Sequence, residues 1–249
     1  MQPYRHEYTV TDAHVDCFGR LRPSMLLFYC QDVAGHHCLM LGTDSDSLAR
    51  KNLLWAIIRQ RVQITRLPRT GETIQVHTWP MPTTRTCYPR STVAYDSQGN
   101  ELFRAVSMWV LMDVESRAMV LPGKSGVTVE GIITGTELKT PGSLAPRQMA
   151  NTVLRRVGYT ELDRNGHMNN TKYLDWVDDL LPSAYHRENV AREFTICYHM
   201  EAREGDVLNL NWQLDEEGLM QVESLRENQE GNEFHRIFSA KVMYENSVL

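Results

Sequence analysis

Leu26, Tyr29, Cys30, Val33 and His37 recur at helical spacing after the turn-forming stretch GRLRPS, residues 19–24. The pattern predicts a helix that starts near Pro23 and Ser24 and stops before Gly42, a loop residue, with Gly35 inside it. The stretch before it, HEYTVTDAHVD (6–16), has β-branched and aromatic residues and reads as a short strand running into a polar segment. Beyond the helix the period becomes that of strands. LLWAIIRQRVQI (53–64) leads through the turn LPRTGE to the alternating TIQVHTW (73–79). TCYPRSTVAYD and ELFRAVSMWVLMD, joined by SQGN, form a hairpin pattern. Pro89 predicts an edge or irregular strand in its first arm.

Residues 132–149 contain TGTELKTPGSLAPRQ, rich in Thr, Gly and Pro and without periodicity. They read as a linker between a first unit, 1–131, and a second, 150–249. After the linker the order restarts. NTVLRRVGYTELD is strand and turn, and Tyr173, Trp176, Val177 and Leu180 form a helical stripe that Pro182 ends. REFTICYHM, DVLNLNWQL, GLMQVESLRE and EFHRIFSAKVMYE then read as strands, with turns at DEEG and NQEG. Setting Asp16 against Asp163 brings Gly19 to Gly166, Arg20 to His167, Tyr29 to Trp176 and Asp32 to Asp179, a weak internal repeat. One long helix beside a strongly curved antiparallel sheet, made twice, is an α+β fold.

Composition narrows the function classes. The 249 residues are 42% hydrophobic and 23% charged, ordinary for a globular protein. A net charge of -5 weakly disfavours nonspecific nucleic-acid binding. The 5 cysteines are scattered and lack metal-ligand spacing, so neither a disulfide framework nor a metal site is expected. No apolar run is long enough to span a membrane, and MQPYRHEYTV lacks a signal-peptide core, so a reduced cytoplasmic setting is expected. A GxSxG elbow, a GxGxxG loop, a P-loop and an HExxH frame are all lacking.

The densest polar chemistry is in DRNGHMNN (163–170). Asn169 or Asn170 can cap the following helix, and Gly166 can supply tight backbone geometry. Asp163, Asn165 and His167 exceed what a turn needs. A histidine can relay protons near neutral pH, an amide can orient a carbonyl or water, and a carboxylate can orient imidazole or activate water. A further carboxylate can come from EAREGD (201–206), which offers Glu201, Glu204 and Asp206 without a choice among them. Cys197 falls in an alternating apolar strand and reads as core.

Four long segments, QDVAGHHCLMLG, LLWAIIRQRVQITRLPRTGETIQVHTWP, DRNGHMNNTKYLDWVDDLLP and ICYHMEAREGDVL, resemble the acyl-acyl-carrier-protein thioesterases, plant and bacterial enzymes that release fatty acids. The resemblance covers nearly the whole chain. It implies a double hotdog, with the active site from the second half and the acyl pocket largely in the first. It places the catalytic Asp, Asn, His and Glu on Asp163, Asn165, His167 and Glu201. Plant members carry a Cys directly after that Glu. This chain has Ala202, which argues against a thiol nucleophile there. The thioester carbonyl is expected at the helix start by Asn169 and Asn170. Leu26, Phe28, Tyr29, Met40 and Trp55 are candidates to close the acyl pocket, or ordinary core. The implied partner is an acidic acyl carrier protein, met by arginines drawn from Arg59, Arg61, Arg66, Arg69, Arg85 and Arg90. No cofactor, metal or membrane insertion is implied, and the assembly is a monomer or homodimer. The alternatives are an acyl-coenzyme A thioesterase of hotdog type and a non-catalytic acyl-thioester binding protein.

Overall fold

A computed structural model describes residues 2–228, 231 and 233–247. The NQEG turn includes 229 and 230, which lie outside the described residues. The chain divides into two compact units, 1–141 and 142–249, so the division falls inside the stretch read as a linker.

In the first unit, β1 (Tyr4–Thr9) precedes α1 (Pro23–Leu41) and the short α2 (Ser45–Ala49). Strands β2 (Leu53–Ile64), β3 (Thr73–Pro80), β4 (Tyr88–Tyr95) and β5 (Glu101–Asp113) follow, then the two-residue β6 (Met119–Val120) and α3 (Pro122–Ser125). The strands lie antiparallel in the order β1-β3-β4-β5-β2, with β6 on β5. The sequence of α1 explains its bounds. Pro23 sits in the first turn, where a missing N–H costs nothing, and Gly42 closes the helix at φ 64. Gly35 is tolerated because it lies on the exposed side. The buried face carries Leu26, Leu27, Tyr29, Cys30, Val33, Ala34 and His37.

Pro89 is in an interior strand, not at an edge, but its place explains the tolerance. The β3–β4 ladder ends at Pro80–Arg90, one residue earlier, so no ladder N–H is asked of it.

The second unit repeats the topology. It has β7 (Asn151–Arg156), α4 (Lys172–Asp178), α5 (Ser183–Glu188), β8 (Asn189–Tyr198), β9 (Val207–Leu214), β10 (Leu219–Glu227) and β11 (Phe234–Asn246). Its strand order is β7-β9-β10-β11-β8, the first unit's order with each strand replaced by its counterpart. Each unit is a hotdog, a sheet laid against one helix. Register shifts that leave Ile58 of β2 and Arg192 of β8 unpaired mark bulges, which add the twist that lets a sheet curl. The second helix is the shorter, because Pro182 restarts it as α5.

Side-chain contacts repeat as well. Position 29 donates to position 14 in the first unit, Tyr29 Oη to His14 Nδ1 at 2.9 Å, given an acceptor nitrogen there. In the second, Trp176 Nε1 donates to Glu161. Tyr8 donates to Asp32 at 2.7 Å and packs on Tyr29, as Arg155 donates to Asp179 at 2.7 Å and lies over Trp176. Both central aromatics are fully buried. Truncating either to Ala costs about 3–5 kcal/mol.

The stretch 132–149 has no helix or strand, yet it is fastened to both units. Trp79 Nε1 donates to Glu137 and Arg59 donates to Pro141 O, while Arg236 donates to Leu144 O.

Candidate active site

Two loops of the second unit bring the polar residues together, and the first unit contains a counterpart of each loop. In the first loop Asp163 N donates to His167 O at 2.7 Å and Gly166 N to Asp163 O at 3.0 Å. Asp163 Oδ1 accepts the N–H groups of Asn165 and His167 at 2.7 and 3.2 Å. Gly166 has φ 74, a left-handed backbone that only Gly adopts freely. In the first unit Asp16 N donates to Arg20 O at 2.7 Å and Gly19, φ 72, to Asp16 O at 3.0 Å. Asp16 Oδ1 accepts from Phe18 N and Arg20 N, both at 2.9 Å. The Asp and Gly therefore build the turn, and the residues that differ are Arg164 for Cys17, Asn165 for Phe18 and His167 for Arg20.

The second loop behaves alike. Met168 N donates to Ala202 O at 2.8 Å, as Leu21 N does to Pro68 O at 2.7 Å. Asp206 accepts from Arg203 N at 2.9 Å, as Glu72 accepts from Arg69 N at 2.8 Å. Gly205 and Gly71 hold φ 85 and 84. Glu201 thus stands where the first unit has Leu67. Its Oε2 lies 3.1 Å from His167 Nε2, with side-chain exposures of 41% for Glu201 and 15% for His167. Arg20, the counterpart of His167, instead turns back to Asp16 at 2.9 Å.

EAREGD is resolved by these contacts. Glu201 faces His167, Asp206 closes its own loop and pairs with Arg226, and Glu204 is exposed. Ala202 is fully buried, and its carbonyl accepts the Met168 N–H. The cap expected of Asn169 or Asn170 falls to Asn169. Thr171 is already helical at φ -70 and ψ -31, and Asn169 Oδ1 accepts its N–H and hydroxyl at 3.0 and 2.9 Å. Lys172 N donates to Asn169 O, and Asn170 O accepts from Tyr198 Oη. The N–H groups of 171 and 172 are therefore already engaged.

Leu26 and Tyr29 are fully buried in the first unit. Trp55 is half-buried against Tyr88 and donates to Thr43 O. Phe28 and Met40 are 41% and 73% exposed. Of the arginines expected at a carrier surface, Arg90 is buried against His37, Thr78 and Cys38 and cannot meet a partner. Burial, with Arg90 next, lowers the His37 imidazole to about 4, so it stays neutral. Arg66 is exposed but held by Glu72 and Asp96. All five cysteines are free, Cys197 among the buried ones. Among the described residues no cluster of metal-binding side chains occurs, and no helix is long and apolar enough to cross a membrane.

Residues 1–121 match the acyl-ACP thioesterase N-terminal domain, and residues 146–245 match the acyl-ACP thioesterase C-terminal domain. The chain belongs to the acyl-ACP thioesterase family. Among relatives of this family, the chloroplastic palmitoyl-acyl carrier protein thioesterase of Gossypium hirsutum is 24% identical over 74% of this chain and 48% of its own. That of Cuphea hookeriana is 22% identical over 86% and 55%. The chain spans about half the length of these curated relatives. An acyl-ACP thioesterase from Bacteroides thetaiotaomicron superposes with a TM-score of 0.83 at 25% identity, covering 97% of both chains. The 12:0-ACP thioesterase of Umbellularia californica, 19% identical over 98% of both, shares the fold at 0.82.

Proposed function

We propose that the chain hydrolyses fatty acyl thioesters of an acyl carrier protein, giving the free fatty acid and the carrier thiol. The His167–Glu201 pair beside Asn165, in a member of this family, carries the reading. An ionised carboxylate only accepts hydrogen bonds, so His167 Nε2 bears the hydrogen between the two groups. Glu201, the more exposed partner, is assigned as the base. It takes a proton from water while the water oxygen adds to the thioester carbonyl. The Asn165 amide is assigned to the developing oxyanion. As the C–S bond breaks, that proton passes from Glu201 to the leaving sulfur, while the His167 Nε2–H holds the carboxyl in place. Asp163 holds the turn from which Asn165 and His167 project. The acyl tail is assigned to the first unit, with Leu26, Tyr29 and Trp55 among its walls. There each methylene contributes about 1 kcal/mol or more to selection. The free cysteines suit a reducing compartment, and we assign the chain to the cytoplasm.

The test is E201Q against wild type on carrier-linked substrates of graded chain length, followed by thiol release. Turnover should fall at least about 100-fold with substrate still bound. Near-normal turnover removes Glu201 from the chemistry. Faster cleavage of coenzyme A thioesters by wild type would reassign the acyl donor. A thioester kept intact through long incubation would make the chain a binding protein.

A further inference from the structure

The two units close the same loop with an acid but recruit the arginine from different places. In the first, Arg66, at the end of β2, grips Glu72 at 2.8 Å, and Asp96 at the end of β4 lies 3.7 Å from the same guanidinium. In the second, the residue that follows β8 at the counterpart of Arg66 is Met200, 46% exposed. The strand counterpart of Asp96 is Arg226 on β10. Arg226 pairs with Asp206, the counterpart of Glu72, and the same Nη1 donates to the backbone oxygen of Glu201 at 3.3 Å. The ion pair alone can be made from the position of Arg66, as the first unit does. Its transfer to β10 adds one contact that the first unit lacks, and that contact is to the residue bearing the carboxylate.

We propose that Arg226 is a positioning residue for Glu201. It fixes the peptide from which the carboxylate projects toward His167. The inference rests on the hydrolase reading above. Two further contacts pin the same short loop: Ala202 O accepts Met168 N–H, and residue 203 bridges His167. Arg226 adds a contact on the carbonyl of Glu201 itself. Misplacement of a reacting group by about 1 Å can cost on the order of 100-fold in rate.

Asp206 and Arg226 share the ion pair, but of the two Arg226 is the one that touches Glu201, so R226M and D206N separate bracing from positioning. Melting temperature, kcat and KM are measured for both variants on a carrier-linked substrate, with wild type and E201Q as references. Both should lower the melting temperature by similar amounts. R226M should lower kcat at least about tenfold with KM within about twofold, because the lost contact acts on the reacting group. D206N should keep kcat within about threefold, since its amide still accepts the Arg203 N–H and Arg226 still reaches Glu201 O. Equal kcat losses in the two variants, or wild-type kcat in R226M, overturn the proposal. Failure of wild type to release carrier thiol would overturn the hydrolase reading instead. Should R226M not fold, R226K, which keeps the charge but not the two-armed guanidinium, takes its place with the same expected kcat loss and the same refuting result.

Discussion

Removing the carboxylate from each copy of the Asp turn should cost similar stability, while one copy alone affects catalysis. In each turn one oxygen accepts two backbone N–H groups, at 2.7 and 3.2 Å for Asp163 and at 2.9 Å twice for Asp16. Hydrogen bonds to a charged acceptor contribute about 1.5–3 kcal/mol each when buried, and a partly exposed turn lies at or below the low end. D163A should therefore cost about 2–3 kcal/mol. At about 2–4 °C per kcal/mol for a chain of this size, the melting temperature falls by about 4–12 °C. D16A should cost at least as much, because it also removes the Asp16 ion pair of Arg20, whose side chain is 10% exposed. The kinetics should diverge. D163A loosens the backbone at Asn165 and His167 and should lower kcat about 100-fold, whereas D16A stays within about threefold. D163N keeps an oxygen for both N–H groups, so it should recover most of the stability and much of the rate. The assay is thermal melting beside steady-state thiol release for all three variants. If D163N regains the melting temperature while kcat stays at the level of D163A, the Asp163 charge takes part in the chemistry, and the reasoning from the duplicated turn fails.

Burial raises the Asp178 carboxyl to about 6, although Tyr244 Oη donates to it at 2.7 Å. The folded value lies above the unfolded one of about 3.9. Its contribution is thus complete below the unfolded value and is lost as pH rises through about 6. D178N keeps an acceptor for Tyr244 and removes the charge. Its melting temperature should gain on wild type between pH 5 and 8, and a gap that does not change with pH refutes this. The A202C variant should not gain turnover and should resist inactivation by iodoacetamide. Residue 202 is fully buried, with its backbone held by Met168. Added bulk there costs stability, about 1–3 kcal/mol. Rapid alkylation coupled to loss of activity would overturn it.

The duplicated fold was readable because period and turn chemistry are local. The apolar stripe of α1, the stop at Pro182 and the pairing of Asp16 with Asp163 all come from spacing. The site was readable only in part. DRNGHMNN marked itself by polarity, yet its residues did not separate into turn and chemistry until the hydrogen bonds of Asp163 could be set beside those of Asp16. EAREGD left three carboxylates open. Extending the repeat would have aligned it with LPRTGE, matching Arg203 to Arg69, Gly205 to Gly71 and Asp206 to Glu72, and leaving Glu201 opposite Leu67. That signal was present and weak, because only one of those pairs of loop residues is identical beyond glycine. Arg226 carried no local signal. Its meaning depends on the register that brings the end of β10 to a loop some distance away in the chain. The burial of Arg90 was likewise invisible, since an arginine in an alternating strand ordinarily points outward.

Duplication gives each functional residue its own internal control. Asp and Gly occur in both copies of the first loop, and an acid, an arginine and a Gly occur in both copies of the second, so these residues answer to the backbone. Phe18, Arg20 and Leu67 show what the same positions hold in the other copy: an aromatic ring under a guanidinium, a half-buried ion pair and an apolar side chain. A carboxylate, an imidazole and an amide in their place give up packing and salt-bridge energy. Such a loss in one copy and not the other is expected where polar groups are kept for chemistry. The arginine on β10 fits the same logic. The first unit closes the same loop from the position of Arg66, so closure alone does not require the second unit to take its guanidinium from Arg226. Contact with the Glu201 carbonyl does.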